Sequence, residues 1–361
     1  MAALGYVTGA SIGGVRVFTA TSSQGLAWMH EGLHWASGSR LPIVMAEVNR
    51  PLGAPFNLTC GQIDSLAQRD TGWLQLYCES NQEVLDTIIQ AYKIAETVSL
   101  PVMVCLDGVY LSYVAESVDI PDQEQVDKYL PPYDPSNRAS LVEQSVLKRY
   151  MKGLPLRGGY ERKPGQERAS FTGNRYELHK LELKSIDVAI KADEEFAAMF
   201  GRSYPLVEEY KCDGADIVLV TTGSTVGTAR YVIDQLQEQG SSIGLVKLKM
   251  FRPFPRDLVR KALAGKRKVA VIERDISAGQ CGIFYQEIKW ALYNHSNAQI
   301  YGFVAGLGSG GWGGDDITPT LIRKAIDYVI EHRQTDQEAI WLGLEEKEKR
   351  DDYDVNTIKI Y

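Results

Sequence analysis

Short apolar runs of strand length alternate along the chain with segments whose apolar residues recur about every 3.6 positions. In the first third, this pattern predicts helices at Ala2–Ile12, Gly25–Ala36 and Gln82–Val98 and strands at Val15–Thr21, Pro42–Val48, Leu74–Cys78 and Pro101–Leu106. A Gly- and Pro-rich loop covers Arg50–Gly72. Strands that alternate with helices indicate a parallel α/β sheet.

The pattern changes in the middle of the chain and then resumes. Tyr110–Tyr133 is rich in Pro and Asp and predicts an extended connector. Helices are predicted at Ser140–Met151 and Leu178–Phe200, on either side of the aperiodic stretch Gly153–Gly173. From Asp216 the pattern predicts strands at Ile217–Thr221, Gly244–Met250, Lys268–Ile272 and Ile300–Val304 and helices at Thr225–Gln237, Arg256–Leu263, Ile283–Leu292 and Pro319–Ile330. We therefore divide the chain into residues 1–120, a wrapping segment 121–212, a second α/β domain 213–335 and a charged tail 336–361.

Composition and charge exclude several classes of protein. The 361 residues are enough for two or three domains. The 39 lysines and arginines against 46 aspartates and glutamates give a net charge of −7, which disfavours nucleic acid and anionic membrane surfaces as partners. No apolar run approaches the ~20 residues of a spanning helix. Five cysteines without a C-x-x-C spacing predict no metal site and favour the reducing cytoplasm.

Two motifs have a structural and a chemical interpretation. His30, Glu31 and His34 form a formal H-E-x-x-H, the pattern of a zinc hydrolase, but apolar neighbours and the lack of a third ligand favour a packed helix. Gly306–Gly311 fits G-x-G-x-x-G after a strand, but no helix opens at its third glycine, so we favour a loop over a nucleotide site.

Two further positions lie where parallel strands end. Gly223–Thr225 precedes a helix and is predicted to cap it, with anion binding as the less favoured alternative. Arg50 follows the strand at Pro42–Val48, at the sheet edge where open α/β sheets bind ligands, and its guanidinium suits a carboxylate. The pattern alone favours a solvated arginine there.

Several long stretches resemble the α chain of pyruvate:ferredoxin oxidoreductases. They are VRVFTATSSQG from Val15, MHEGLHWASGSRLPIVMAEVNRPLGAP from Met29, DSLAQRDTGW from Asp64, PVMVCLDG from Pro101, IPDQEQVDKYLPPYDP from Ile120, FGRSY from Phe200, GLVKLKMFRPFP from Gly244 and VIERD from Val271. The resemblance covers nearly the whole chain. It implies a thiamine-enzyme pyrimidine-binding domain followed by a domain like the transketolase C-terminal domain.

The resemblance also implies an activity and a site. The family converts pyruvate and CoA to acetyl-CoA and carbon dioxide while reducing ferredoxin. Arg50 matches the family arginine that approaches the substrate carboxylate, Ser23 and Gln24 are the candidate cofactor contacts, and no residue of this chain is assigned a catalytic role. We expect thiamine diphosphate with Mg²⁺ and 4Fe–4S clusters to be held mainly by beta-, gamma- and delta-type partner subunits, because this chain has no ferredoxin-like run of cysteines.

Some alternatives stay open. The substrate could be another 2-oxoacid, such as a branched-chain one, or the chain could be a non-catalytic assembly subunit. The family carries a further segment ahead of the position of Met1, with a substrate-contacting threonine and an activating glutamate. The recorded start is internal, another chain supplies that segment, or the protein is an inactive paralogue; the uncapped start of Ala2–Ile12 favours a missing segment. Ser309–Gly314 is an insertion relative to the family. We expect exposed apolar surface around Val48–Gly72, where a partner would dock.

Overall fold

The computed structural model describes residues 1–53, 57–135, 171–307, 316–333, 335 and 339–344. The predicted helix Ser140–Met151, the stretch Ser309–Gly314 and the charged residues from Glu345 onward lie outside the described residues. The described part forms two β-sheets with helices packed on their faces. The predicted α/β class is confirmed.

The first sheet has the strand order β1 (Val17–Thr21), β2 (Ile43–Asn49), β4 (Val102–Asp107), β3 (Leu74–Cys78) and β8 (Met250–Arg252), and its first four strands are parallel. Its elements are α1 (Ala2–Ile12), β1 (Val17–Thr21), α2 (Gln24–Ala27), α3 (His30–Gly38), β2 (Ile43–Asn49), α4 (Ile63–Leu66), β3 (Leu74–Cys78), α5 (Asn81–Val98) and β4 (Val102–Asp107). The central strands β3 and β4 are buried along their whole length, as strands covered on both faces are.

The second sheet has the order β11-β10-β9-β6-β7-β5. Along the chain, α6 (Gln123–Tyr129) and the long helix α7 (Phe171–Phe200) follow β4. The remaining elements are β5 (Val207–Tyr210), β6 (Ile217–Thr221), α8 (Thr225–Glu238), β7 (Ile243–Leu248), β8 (Met250–Arg252), α9 (Arg256–Ala262), β9 (Lys268–Glu273), α10 (Ile283–Leu292), β10 (Gln299–Val304), α11 (Pro319–Glu331) and β11 (Ile340–Trp341). All strand pairs of the second sheet are parallel except β5 with β7.

The two sheets share one apolar core. The short strand β8 comes from the second half of the chain but pairs antiparallel with β3 of the first sheet. Phe251 of β8 packs against Phe284 of α10, with ring centroids 4.6 Å apart, and Tyr77 of β3 lies 5.6 Å from Phe284. This packing fixes the second half of the chain against the first.

Two sequence predictions are corrected by the structure. The helix predicted at Gly25–Ala36 is two short helices, α2 and α3; Leu26, Met29 and Leu33 are buried at helical spacing across the break, so the pattern did not show it. The connector Tyr110–Tyr133 contains the helix α6, which the pattern did not predict because its sequence is polar and only one of its residues is buried. That residue is Tyr129, which donates a hydrogen bond to the Ala192 carbonyl.

The prediction of an exposed apolar docking surface around Val48–Gly72 is wrong for the described residues of that loop, whose large apolar side chains are buried or half-buried. The loop folds back onto the second half of the chain: the Gln62 N–H donates to the Arg274 carbonyl, and the Asn57 side chain donates to the Leu307 carbonyl. Large exposed apolar side chains lie elsewhere and include Tyr6 of α1 (80% exposed) and Trp28 at the end of α2 (74% exposed). Among the described residues, no helix is long and apolar enough to cross a membrane.

Candidate functional site

Three parallel strands of the first sheet end side by side and bring polar residues to one edge. Ser23 lies just beyond β1. Asn49 is the last residue of β2 and Arg50 follows it, and Asp107 is the last residue of β4. Because β2 pairs with both β1 and β4, these carboxyl ends are neighbours. Ligands of open α/β sheets bind at this position.

The Asp64 carboxylate holds this edge together. One of its oxygens, Oδ2, accepts hydrogen bonds from the peptide N–H groups of Ser23 and Arg50, both at 2.9 Å. The other, Oδ1, accepts from the Asn49 side-chain amide at 2.9 Å and from the Ser65 N–H at 2.8 Å. A single buried carboxylate therefore fixes the ends of two strands and the start of α4.

Glu47 of β2 is fully buried, as Asp64 is, and neither of its carboxyl oxygens has a hydrogen-bond partner among the described residues. Burial and the neighbouring Asp64 carboxylate raise the pKa of Glu47 well above its usual range. Burial raises the pKa of Asp64 as well, and the hydrogen bonds that Asp64 accepts from the Arg50 and Ser23 N–H groups and from the Asn49 amide oppose that rise.

Arg50 is half-buried and has a donor to spare. Its backbone N–H is bound to Asp64, but its buried Nε has no acceptor among the described residues. Gly108 packs so closely that a Cβ there would lie 2.6 Å from the Asn49 carbonyl oxygen and 3.1 Å from Arg50 Cγ. A buried, unpaired N–H is costly, and a ligand carboxylate would satisfy it by a charge-assisted bond.

The end of β4 reaches the second half of the chain through Asp107. Its Oδ2 accepts hydrogen bonds from the N–H (2.8 Å) and the Oγ (2.7 Å) of Ser224, and its Oδ1 accepts from the Gln62 amide at 3.0 Å. Gly223, at φ +63°, allows this approach, since a Cβ there would lie 2.6 Å from Asp107 Oδ2. Helix α8 thus has an anion at its positive end, and that anion is Asp107.

This geometry corrects the predicted capping role of Gly223–Thr225. The Ser224 side chain makes no capping bond to its own helix and instead donates to Asp107. The structure is nearer to the less favoured alternative, in which this turn binds an anion, but the anion here is the Asp107 side chain of the same protein.

The two other predicted contacts lie at the same edge. Ser23 is fully buried at φ +51°, and its Oγ donates to the Pro51 carbonyl at 2.7 Å. Its hydroxyl is therefore committed to the loop that carries Arg50. Gln24 begins α2 and is half-buried, with its amide nitrogen 4.0 Å from where a Gly53 Cβ would lie. A cofactor contact by Ser23 or Gln24 stays a prediction.

The H-E-x-x-H motif lies on α3. His30 pairs with Gln68 at 2.6 Å, and Glu31 accepts a hydrogen bond from the Trp35 indole at 3.0 Å. The rings of His30 and His34 are 5.0 Å apart at right angles. Burial, reinforced by His30, lowers the pKa of His34. Among the described residues, no group of three or more His, Cys, Asp or Glu side chains could hold a metal ion.

We expect the purified chain to contain less than about a tenth of an equivalent of zinc, because a zinc site needs at least three protein ligands. Elemental analysis by mass spectrometry measures this directly, with His295→Ala as the control and His30→Ala/His34→Ala as the test variant. Stoichiometric zinc that disappears only in the double variant would contradict the structural role of α3.

The glycine motif at Gly306–Gly311 is only partly within the described residues. Gly306 has φ +68°, and its carbonyl accepts a hydrogen bond from the buried Arg274 at 3.4 Å. Arg274 also pairs with Asp316 at 3.0 Å. The described part of the motif therefore takes part in loop packing.

Sequence reasoning missed Glu47, Asp64 and Asp107. Two of them had a usable signal: Glu47 interrupts an otherwise apolar strand, and Asp107 ends a fully apolar one. Asp64 sits in a loop with no period, and only the folded backbone shows that the N–H groups of distant residues converge on it.

Two family models match parts of this chain. Residues 1–164 match the family model described as pyruvate flavodoxin/ferredoxin oxidoreductase, thiamine diphosphate-binding. Residues 215–322 match the model of pyruvate:ferredoxin oxidoreductase core domain II.

Full-length relatives are also similar. The chain is 42% identical to pyruvate synthase subunit PorA of Methanothermobacter thermautotrophicus, over 96% of this chain and 84% of that protein. It is 40% identical to ketoisovalerate oxidoreductase subunit VorA of Pyrococcus abyssi, over 93% of this chain and 82% of that protein. A solved 2-oxoglutarate:ferredoxin oxidoreductase from Magnetococcus marinus shares the fold, with a TM-score of 0.56 and 18% identity over 91% of this chain and 56% of that one. The resemblance stated from the sequence is confirmed, and this chain belongs to the pyruvate flavodoxin/ferredoxin oxidoreductase family.

Proposed function

We propose that this chain is the α subunit of a pyruvate:ferredoxin oxidoreductase and that its Arg50 holds the substrate carboxylate. The observation that carries the assignment of Arg50 is its buried Nε, a cationic donor without an acceptor at the ligand-binding edge of the first sheet. A planar guanidinium binds a carboxylate through two parallel N–H···O bonds. Pyruvate presents such a carboxylate next to its reacting carbonyl carbon.

We assign to this chain a contact with thiamine diphosphate but not the binding of its diphosphate and Mg²⁺. The match of residues 1–164 to a thiamine diphosphate-binding family supports a cofactor contact at the edge that carries Ser23, Gln24 and Arg50. The described residues offer no group of acidic ligands for the Mg²⁺ that accompanies the diphosphate. When bound, the cofactor supplies an electron sink for decarboxylation, and this chain would orient the substrate beside it.

Partner subunits complete the proposed enzyme. All five cysteines are free, buried and far apart in the chain, so none of them is grouped to bind an iron–sulfur cluster. We therefore assign the clusters, the diphosphate half of the thiamine site and the transfer of electrons to ferredoxin to beta-, gamma- and delta-type subunits, with CoA as co-substrate. Relatives carry the name subunit, which supports a multi-subunit assembly. Free thiols fit a reducing cytoplasm.

A branched-chain 2-oxoacid is the second candidate substrate, because a relative named ketoisovalerate oxidoreductase subunit is 40% identical to this chain. Arg50 would serve either acid equally, since both carry the same carboxylate. A relative named pyruvate synthase subunit is 42% identical over a slightly larger share of the chain, which favours pyruvate.

We expect the chain purified alone to show no oxidoreductase activity and no binding of thiamine diphosphate at micromolar concentrations, because the metal–diphosphate half of the site is assigned to a partner. Titration calorimetry with thiamine diphosphate and Mg²⁺, on the lone chain and on the assembled complex, measures this. Micromolar binding by the lone chain would contradict the subunit assignment and favour a self-contained enzyme.

A further inference from the structure

We propose that Asp64 is a positioning residue for Arg50: it fixes the backbone from which the guanidinium reaches the substrate, without touching the substrate itself. This inference rests on the function proposed above. It concerns a residue that the family resemblance did not single out and that lies 14 positions along the chain from Arg50.

The backbone of Arg50 is held in place by its neighbours. The Asp64 carboxylate binds the Arg50 N–H and the Ser23 N–H through the same oxygen, so two strand ends are held at one point. Ser23 is held there at a positive φ, a conformation that a serine keeps only when its surroundings impose it. Gly108 also lies close to this side chain, since a Cβ at that position would be 3.1 Å from Arg50 Cγ. Asp64 is fully buried, so it contributes through these contacts alone.

The hydrogen bonds of Asp64 suit this role. Four N–H donors converge on its two carboxylate oxygens. A glutamine at position 47 would keep the size of the Glu47 side chain, whose oxygens take part in none of these hydrogen bonds. An asparagine at position 64 has one acceptor oxygen where the carboxylate has two, so it cannot satisfy all four donors in their present arrangement.

These differences give a matched pair of variants in the assembled complex. We expect Asp64→Asn to raise KM for pyruvate by about ten- to a hundredfold, because small displacements of a substrate-binding group have effects of that size. Glu47→Gln is expected to leave KM within about twofold of the unchanged protein. Asp64→Glu keeps the charge but displaces the carboxylate by one methylene, and it provides a second test in case Asp64→Asn does not assemble.

A double-mutant cycle separates positioning from a general structural role. If Asp64 acts through Arg50, Asp64→Asn adds no further change in KM once Arg50 is alanine, because the group that it positions is gone. A purely structural role would add its full effect in both backgrounds. Circular dichroism and the yield of assembled complex confirm that each variant is folded.

The outcomes are distinct. A large effect of Asp64→Asn that vanishes in the Arg50→Ala background supports positioning. Equal effects in both backgrounds, or no effect in either, overturn it while leaving the role of Arg50 intact. Unchanged kinetics in Arg50→Ala itself would refute the substrate role of Arg50, and the positioning role of Asp64 with it.

Discussion

Replacing Arg50 with alanine is expected to lower kcat/KM for pyruvate in the assembled complex by about 30- to 5,000-fold. Loss of a charge-assisted contact in a water-excluded site costs about 2–5 kcal/mol, and each 1.4 kcal/mol is a factor of ten. Arg50→Lys is expected to be nearly as damaging, since an ammonium group cannot make the two parallel N–H···O bonds of a guanidinium. Steady-state kinetics with varied pyruvate measures both variants.

Two controls accompany this experiment. Arg267→Ala removes an exposed arginine that pairs with Asp216, and we expect unchanged kinetics because exposed ion pairs contribute little. Binding of thiamine diphosphate by the Arg50 variants is expected to stay close to that of the unchanged complex. Wild-type kinetics in both Arg50 variants would remove this residue from the substrate site.

Replacing Asp107 with alanine is expected to lower the free energy of unfolding of the chain by about 3 kcal/mol. Asp107 is buried and accepts three hydrogen bonds, two of them from Ser224 at the start of α8. Its removal leaves buried donors without an acceptor, at about 1–3 kcal/mol for each group. Chemical denaturation followed by circular dichroism measures the change.

Asp213→Ala is the matched control, because Asp213 is an exposed aspartate in a turn just before β6. We expect a change within about 0.5 kcal/mol there. If Asp107→Ala were no more destabilising than Asp213→Ala, the link between β4 and α8 would not contribute to stability.

The alternation of strands and helices could be predicted from the sequence because each element buries its own apolar face. Helices α1 and α10 and strands β3 and β6 have the predicted bounds. The antiparallel pairing of β8 with β3 could not be predicted, because Met250–Arg252 follows β7 in the chain yet pairs with the other sheet. Such pairing depends on how the two halves pack, which no local pattern records.

The site was predictable to a similar degree. The end of a parallel strand singled out Arg50 by position, and the resemblance supplied its role. Asp64 and Asp107 act through backbone N–H groups of distant residues, and every non-proline residue carries such a donor. Their importance emerges only when the fold brings those donors together.

Substrate preference in the purified complex that contains this chain tests the proposed function most directly. The measurement is the initial rate of CoA-dependent reduction of a one-electron acceptor with pyruvate, 2-oxoisovalerate and 2-oxoglutarate as alternative substrates. We predict the highest kcat/KM for pyruvate. A higher value for 2-oxoisovalerate would move the assignment to a branched-chain 2-oxoacid, and the absence of CoA-dependent reduction with all three acids would contradict an enzyme subunit.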